Sequence, residues 1–131
     1  MIFGQHLILD FWGVDADFLD DPEAVREALL AAARAGHCTV VADYFHEFSP
    51  VGVTGVLVLA ESHLSVHTWP EEGYCALDAF TCGEATDMSA LRAALVDAFR
   101  PREIREWFRV RGAREAPSQG AGMLCARGAP A

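Results

Sequence analysis

His63-Leu64-Ser65-Val66-His67-Thr68-Trp69-Pro70-Glu71-Glu72-Gly73-Tyr74-Cys75-Ala76-Leu77-Asp78-Ala79-Phe80-Thr81-Cys82 is the stretch whose reading decides the fold. Its opening residues alternate, with His63, Ser65, His67 and Trp69 set against Leu64, Val66 and Thr68. A period of two marks a strand, because successive side chains leave opposite faces of a pleated backbone. Pro70 to Gly73 reads as a turn. From Tyr74 the alternation resumes, with Asp78, Phe80 and Cys82 on one side and Cys75, Leu77 and Ala79 on the other. Strand, hairpin-length turn and strand make this half of the chain sheet.

Working outward, Val53 to Ala60 is a short apolar run whose β-branched residues and glycines favour strand over helix. Cys38 to Phe48 is a further predicted strand, with Val40, Ala42, Tyr44, His46 and Phe48 sharing a face until Ser49-Pro50 breaks it. Ahead of it, Asp21 can cap free N–H groups, Pro22 suits a first helical position, and Val25, Leu29, Ala32 and Ala33 recur at helical spacing. A helix is therefore predicted over 22–35, ended by Gly36. Phe3 to Phe11 reads as the first strand, broken by Gly13 and a run of aspartates. Downstream, Asp87 caps a helix over 88–99 whose apolar stripe is Met88, Leu91, Leu95 and Phe99. Pro101 stops it, and Ile104 to Val110 supplies a last strand. The pattern is α+β, an antiparallel or mixed sheet with two helices on one face. The uncovered face must meet something, and a second copy of the chain is the expected occupant.

The 131 residues suit one domain, placed at 1–111, and the Gly-, Ala-, Pro- and Ser-rich remainder, 112–131, is expected to be a disordered tail. An apolar fraction of 52% with 22% charged residues is globular composition, with no window near the roughly 18 apolar residues of a membrane span. With no basic leader at its start, the protein is expected to be cytoplasmic. Nineteen acidic against ten basic residues, every basic one an arginine, leave a net charge of −9 and argue against a nucleic-acid partner. A negative field suits a cationic small molecule, or serves only solubility. Cys38, Cys75, Cys82 and Cys125 form no CxxC pair, so neither zinc nor thioredoxin chemistry is indicated.

His63 and His67 have the i, i+4 spacing of a helical metal pair. On a strand they lie about 13 Å apart at roughly 3.3 Å per residue, too far to share an ion, and no metal is expected. Ser62 follows a glutamate and lacks the G-x-S-x-G elbow of a serine hydrolase.

Glu61-Ser62-His63, with His67 five residues and Cys82-Gly83 twenty residues beyond the serine, closely resembles the self-processing segment of the S-adenosylmethionine decarboxylases in their small bacterial and archaeal form. Gly4-Gln5-His6-Leu7 with Asp10, Phe48-Ser49-Pro50, Gly52-Val53 and His67-Thr68-Trp69-Pro70-Glu71 extend the resemblance over about residues 3 to 110. It implies a two-layer α/β sandwich whose bare sheet face packs in an (αβ)₂ homodimer. It also implies a zymogen that cuts itself between Glu61 and Ser62, giving a β chain of 1–61 and an α chain of 62–131 headed by a pyruvoyl group made from Ser62. That covalent cofactor would form a Schiff base with S-adenosylmethionine and release CO2, making the aminopropyl donor for spermidine.

By the same resemblance His67 serves processing and proton transfer, Cys82 donates the proton that replaces CO2, and Phe48 and Glu71 bind the adenine and the ribose. Thr54 stands where the family usually has a serine that assists cleavage, and processing is expected to survive, more slowly. Two alternatives stay open at this point: the same machinery acting on ornithine or arginine, and an unprocessed regulatory homologue.

Overall fold

The structure, a computed structural model, describes residues 3–82, 84–114 and 124–127. Its elements in chain order are β1 (Gly4–Trp12), α1 (Ala16–Leu19), α2 (Pro22–Ala35), β2 (Val40–Glu47), β3 (Val53–Leu59), β4 (Ser62–Trp69), β5 (Tyr74–Thr81), α3 (Met88–Phe99), β6 (Glu103–Arg111) and β7 (Leu124–Arg127). The strands form one sheet in the order β2-β3-β4-β5-β1-β6-β7, every pairing antiparallel. The fold is α+β, with α2 and α3 packed on one face. Among the described residues no helix is long and apolar enough to cross a membrane.

Alternation builds the core. Leu7, Leu9 and Phe11 of β1, Leu57 of β3, Leu64 and Val66 of β4, and Leu77 and Ala79 of β5 are buried with Val25 and Leu29 of α2 and Leu91 and Leu95 of α3. The intervening strand residues, among them His6, Thr54, His63, Ser65, His67 and Asp78, therefore share the face that carries no helix. That face is partly apolar, with Tyr44 66% and Val58 45% exposed.

The helix starts form as their caps dictate. The Asp21 side chain accepts from the N–H groups of Glu23 and Ala24 at 3.0 and 3.2 Å, and Asp87 accepts from Ala90. Gly36 does end α2, but its φ of −86° is ordinary and the left-handed residue is His37, at φ 63°. Gly36 is needed for another reason: a Cβ there would lie 3.0 Å from Leu91 Cβ, so its absence lets α2 end against α3.

Three features differ from the sequence reading. The aspartate run holds a short helix, α1, because the Asp15 carboxylate caps it at Phe18 N–H. Val40 does not share a face with Ala42: a bulge separates them, so Val40 pairs with Leu59 on the core side and Ala42 with Val58 on the bare side. The segment 112–131, expected to be disordered, contributes Leu124–Arg127 as a strand against β6, while 115–123 and 128–131 lie outside the described residues.

Candidate active site

Strand β4 carries a cluster at each end. At its start, the antiparallel register pairs Leu59 with Ser62 and leaves Ala60-Glu61 as the turn between β3 and β4. Three hydrogen bonds hold that turn. Ala60 N–H donates to the Thr39 carbonyl at 2.9 Å, Thr39 N–H donates to Glu61 Oε1 at 3.0 Å, and Cys82 N–H donates to the Glu61 carbonyl at 2.8 Å. Ser62 pairs with Thr81 across β5, so the next residue, Cys82, arrives at the turn from twenty residues away, with its side chain exposed. Ser62 itself sits at φ 142°. For a residue with a Cβ such a backbone is strained by on the order of 1–3 kcal/mol and persists only where its surroundings hold it.

At the far end of β4 lies a cleft of about 380 Å³ whose lining includes Phe48, Thr54, His67, Trp69 and Glu71. The β3–β4 register sets Thr54 opposite His67, and Thr54 Oγ1 lies 3.1 Å from His67 Nδ1. Phe48 is brought in where β2 ends, its N–H donating to the Gly52 carbonyl at 2.7 Å. Glu71 projects from the 3₁₀ turn Pro70–Glu72 that closes β4. Two aromatic walls, a carboxylate and a hydroxyl–imidazole pair suit an aromatic, hydroxylated, cationic ligand. Trp69 was not singled out from the sequence as a ligand-binding residue; its place in the alternation, next after His67 on the same face, was the available signal.

The structure thus joins Glu61 and Ser62 to Cys82, and Phe48 to Thr54, His67 and Glu71. It does not join Ser62 to His67 within one chain. They are five positions apart along β4, about 16 Å at roughly 3.3 Å per residue.

A third cluster occupies the bare face between these ends. His6 Nε2 and His63 Nε2 lie 2.7 and 3.0 Å from the same oxygen of Asp78, whose other oxygen accepts the Ser65 hydroxyl. Burial works to raise the Asp78 carboxyl, but the hydrogen bonds from Ser65, His63 and His6 outweigh it and hold it below its ordinary value. The three ligand atoms lie within 4.8 Å of one another, as a cation would require. The outer partner argues otherwise. An Arg111 guanidinium nitrogen is 3.1 Å from His6 Nδ1, and a guanidinium can only donate. His6 Nδ1 is therefore the lone-pair nitrogen and Nε2 carries the proton that Asp78 accepts. A metal-bound histidine needs the reverse, a free Nε2 and an Nδ1–H facing an acceptor. Of the other thiols, Cys75 is buried in the core, and burial, with Asp10 nearby, pushes it far up and leaves it inert.

Comparison with known proteins places the chain among relatives of one family. The pattern of a family described as S-adenosylmethionine decarboxylase matches residues 5–112. An S-adenosylmethionine decarboxylase proenzyme of Pyrococcus furiosus is 46% identical over 97 residues, 74% of this chain and 70% of that protein. One from Acidithiobacillus ferrooxidans is 42% identical over 109 residues, 83% and 82% of the two chains. The crystal structure of the adenosylmethionine decarboxylase from Aquifex aeolicus superposes with a TM-score of 0.81 at 36% identity, covering 90% of this chain and 98% of the other.

Proposed function

The chain belongs to the S-adenosylmethionine decarboxylase family, and from that premise we propose that it cuts itself at Glu61-Ser62 and then decarboxylates S-adenosylmethionine as a cytoplasmic homodimer. The observation that carries the self-cleavage is the Cys82 N–H held 2.8 Å from the Glu61 carbonyl oxygen, beside a serine at φ 142°. A backbone donor aimed at that oxygen stabilises the negative charge that grows there when a nucleophile attacks, as an oxyanion hole does. Ser62 Oγ bonds to the Glu61 carbonyl carbon, the C–N bond breaks, and the hydroxyl proton ends on the released nitrogen, leaving an ester. Removal of the Ser62 α-proton then breaks the Cβ–Oγ bond and frees Glu61 as a carboxylate. Water replaces the nitrogen, which leaves as ammonia, and the new chain begins with a pyruvoyl group. Turning an amide into an ester is uphill, and relief of the Ser62 strain offsets part of that cost.

A hydroxyl is a weak nucleophile and needs a base. The Thr54–His67 pair has the chemistry for it but lies about 16 Å along the strand from Ser62 in the same chain. A second copy on the bare sheet face resolves this, bringing Thr54 and His67 of the partner subunit to Ser62, so that each site draws on two chains. The exposed Tyr44 and Val58 on that face support such an interface.

The pyruvoyl group would supply a ketone that withdraws electrons from the substrate α-carbon as CO2 leaves. The residues around Ser62 suit it: Cys82, whose N–H meets the Glu61 carbonyl, would donate a proton to that carbon. Phe48 and Trp69 offer faces to the adenine and the sulfonium, and Glu71 accepts from the ribose hydroxyls. These aromatic and carboxylate groups, like the names of the relatives, favour the nucleoside over ornithine or arginine. The test is an intact-mass time course with CO2 release from the three substrates side by side. The expected result is a separated 1–61 fragment and release from S-adenosylmethionine; a chain that stays whole, or one active on an amino acid alone, would overturn the reading.

A further inference from the structure

The His6–Asp78–His63 network is used by none of the steps above, yet it is anchored one residue from the bond that breaks. We propose that His63, held by Asp78, is a positioning residue for self-cleavage: it fixes the start of β4 so that Ser62 stays at its positive φ with the Glu61 carbonyl on the Cys82 N–H. The proposal rests on the self-cleavage reading and deepens it.

A strained backbone persists only if both flanks hold it. On the N-terminal side the three hydrogen bonds to Ala60 and Glu61 do so. On the C-terminal side the ladder pairs Ser62 with Leu59 and Thr81, but those pairs close a strand end, where ladders fray most readily. His63 is the first side chain after Ser62, and its ring bond to Asp78 ties the beginning of β4 to the middle of β5. Asp78 is a firm anchor because it accepts from three donors, Ser65 on one oxygen and His6 and His63 on the other. Arg111 fixes the His6 tautomer, so His6 donates to Asp78 and does not compete for the His63 proton. Phe80 packs against both rings, with centroids at 5.4 Å from His6 and 6.2 Å from His63. The His63 ring is engaged by Asp78, so it acts through the backbone and not as the base.

Freshly purified full-length chains are followed by intact mass, with and without hydroxylamine, which cleaves esters and spares amides. His63→Ala and Asp78→Asn are expected to slow release of 1–61 by about tenfold or more, and the uncut chain should resist hydroxylamine, since the acyl shift itself is impaired. His63→Gln, which presents an N–H near the Nε2 position, is expected to restore the rate to within about threefold at an unchanged melting temperature. Wild-type rates in both slowing variants overturn the proposal. So does a hydroxylamine-labile uncut chain, which would place the defect in the elimination, or a folded His63→Gln chain as slow as His63→Ala. Should His63→Ala fail to fold, Asp78→Asn against His63→Gln decides. A wild-type chain that never cuts overturns the self-cleavage reading and this proposal with it, whereas a wild type that cuts no faster than the variants overturns this proposal alone.

Discussion

The two ends of β4 solve different problems. Its start is gripped by backbone hydrogen bonds at Ala60, Glu61 and Cys82 and holds one residue in a costly conformation. Its end is a cleft of side chains, several exposed, with a single side-chain hydrogen bond between Thr54 and His67 among the residues named. Bond cleavage needs fixed dipoles already aimed at the reacting carbonyl, because a donor that must move when charge develops has spent part of its effect. Binding a flexible nucleoside sulfonium needs apolar area and a few polar groups, which exposed side chains supply. In the proposed function neither end suffices alone, since one strand sets the two ends about 16 Å apart.

Replacing the nucleophile tests the first end most severely. Ser62→Ala should leave one uncut chain and reduce CO2 release to background, read by intact mass and a decarboxylation assay. Next comes the separation of the ends. His67→Ala alone is expected to slow cleavage by about 10²–10⁴, the usual worth of a general base. Coexpressed with Ser62→Ala, the His67→Ala chain should be cut in mixed dimers, because its serine meets an intact histidine. Failure of that rescue would put both groups in one chain and undo the comparison.

Cys82→Ala separates backbone from thiol. The N–H that polarises Glu61 remains, so cleavage should proceed, while turnover of the cut enzyme falls by about 10²-fold or more. At the binding end, Glu71→Gln should raise KM by about tenfold with kcat little changed, as expected when a charged hydrogen bond to the ground state is weakened. The smallest effect is expected from Thr54→Ser, which keeps the hydroxyl and removes a methyl that restricts χ1. Cleavage should quicken by no more than about threefold, and a slower variant would argue that the methyl packs usefully.

Much of this was legible because it is local. The hairpin through His63 and Asp78 follows from alternation, and α2 and α3 begin where Asp21 and Asp87 say they should. The spacing of Ser62 and Cys82 carried the family resemblance, and the register explains it: Ser62 pairs with Thr81, so the following cysteine reaches the turn. Val40 was misassigned because a bulge adds a residue without any change of composition. The short helix at Ala16–Leu19 was hidden because four residues carry too little period to detect. His6 could not be linked to Asp78, since they stand 72 positions apart in the chain.

By itself the sequence determined the elements, their faces and the residues able to do chemistry, because periodicity, capping and spacing act between near neighbours. Only the tertiary structure decided that β1 inserts between β5 and β6, that Asp78 gathers His6, His63 and Ser65, and that Ser62 is held at a positive φ beside a polarised carbonyl. Those outcomes depend on pairing between distant strands, whose register is set by burial of the shared core and not by any short run of residues.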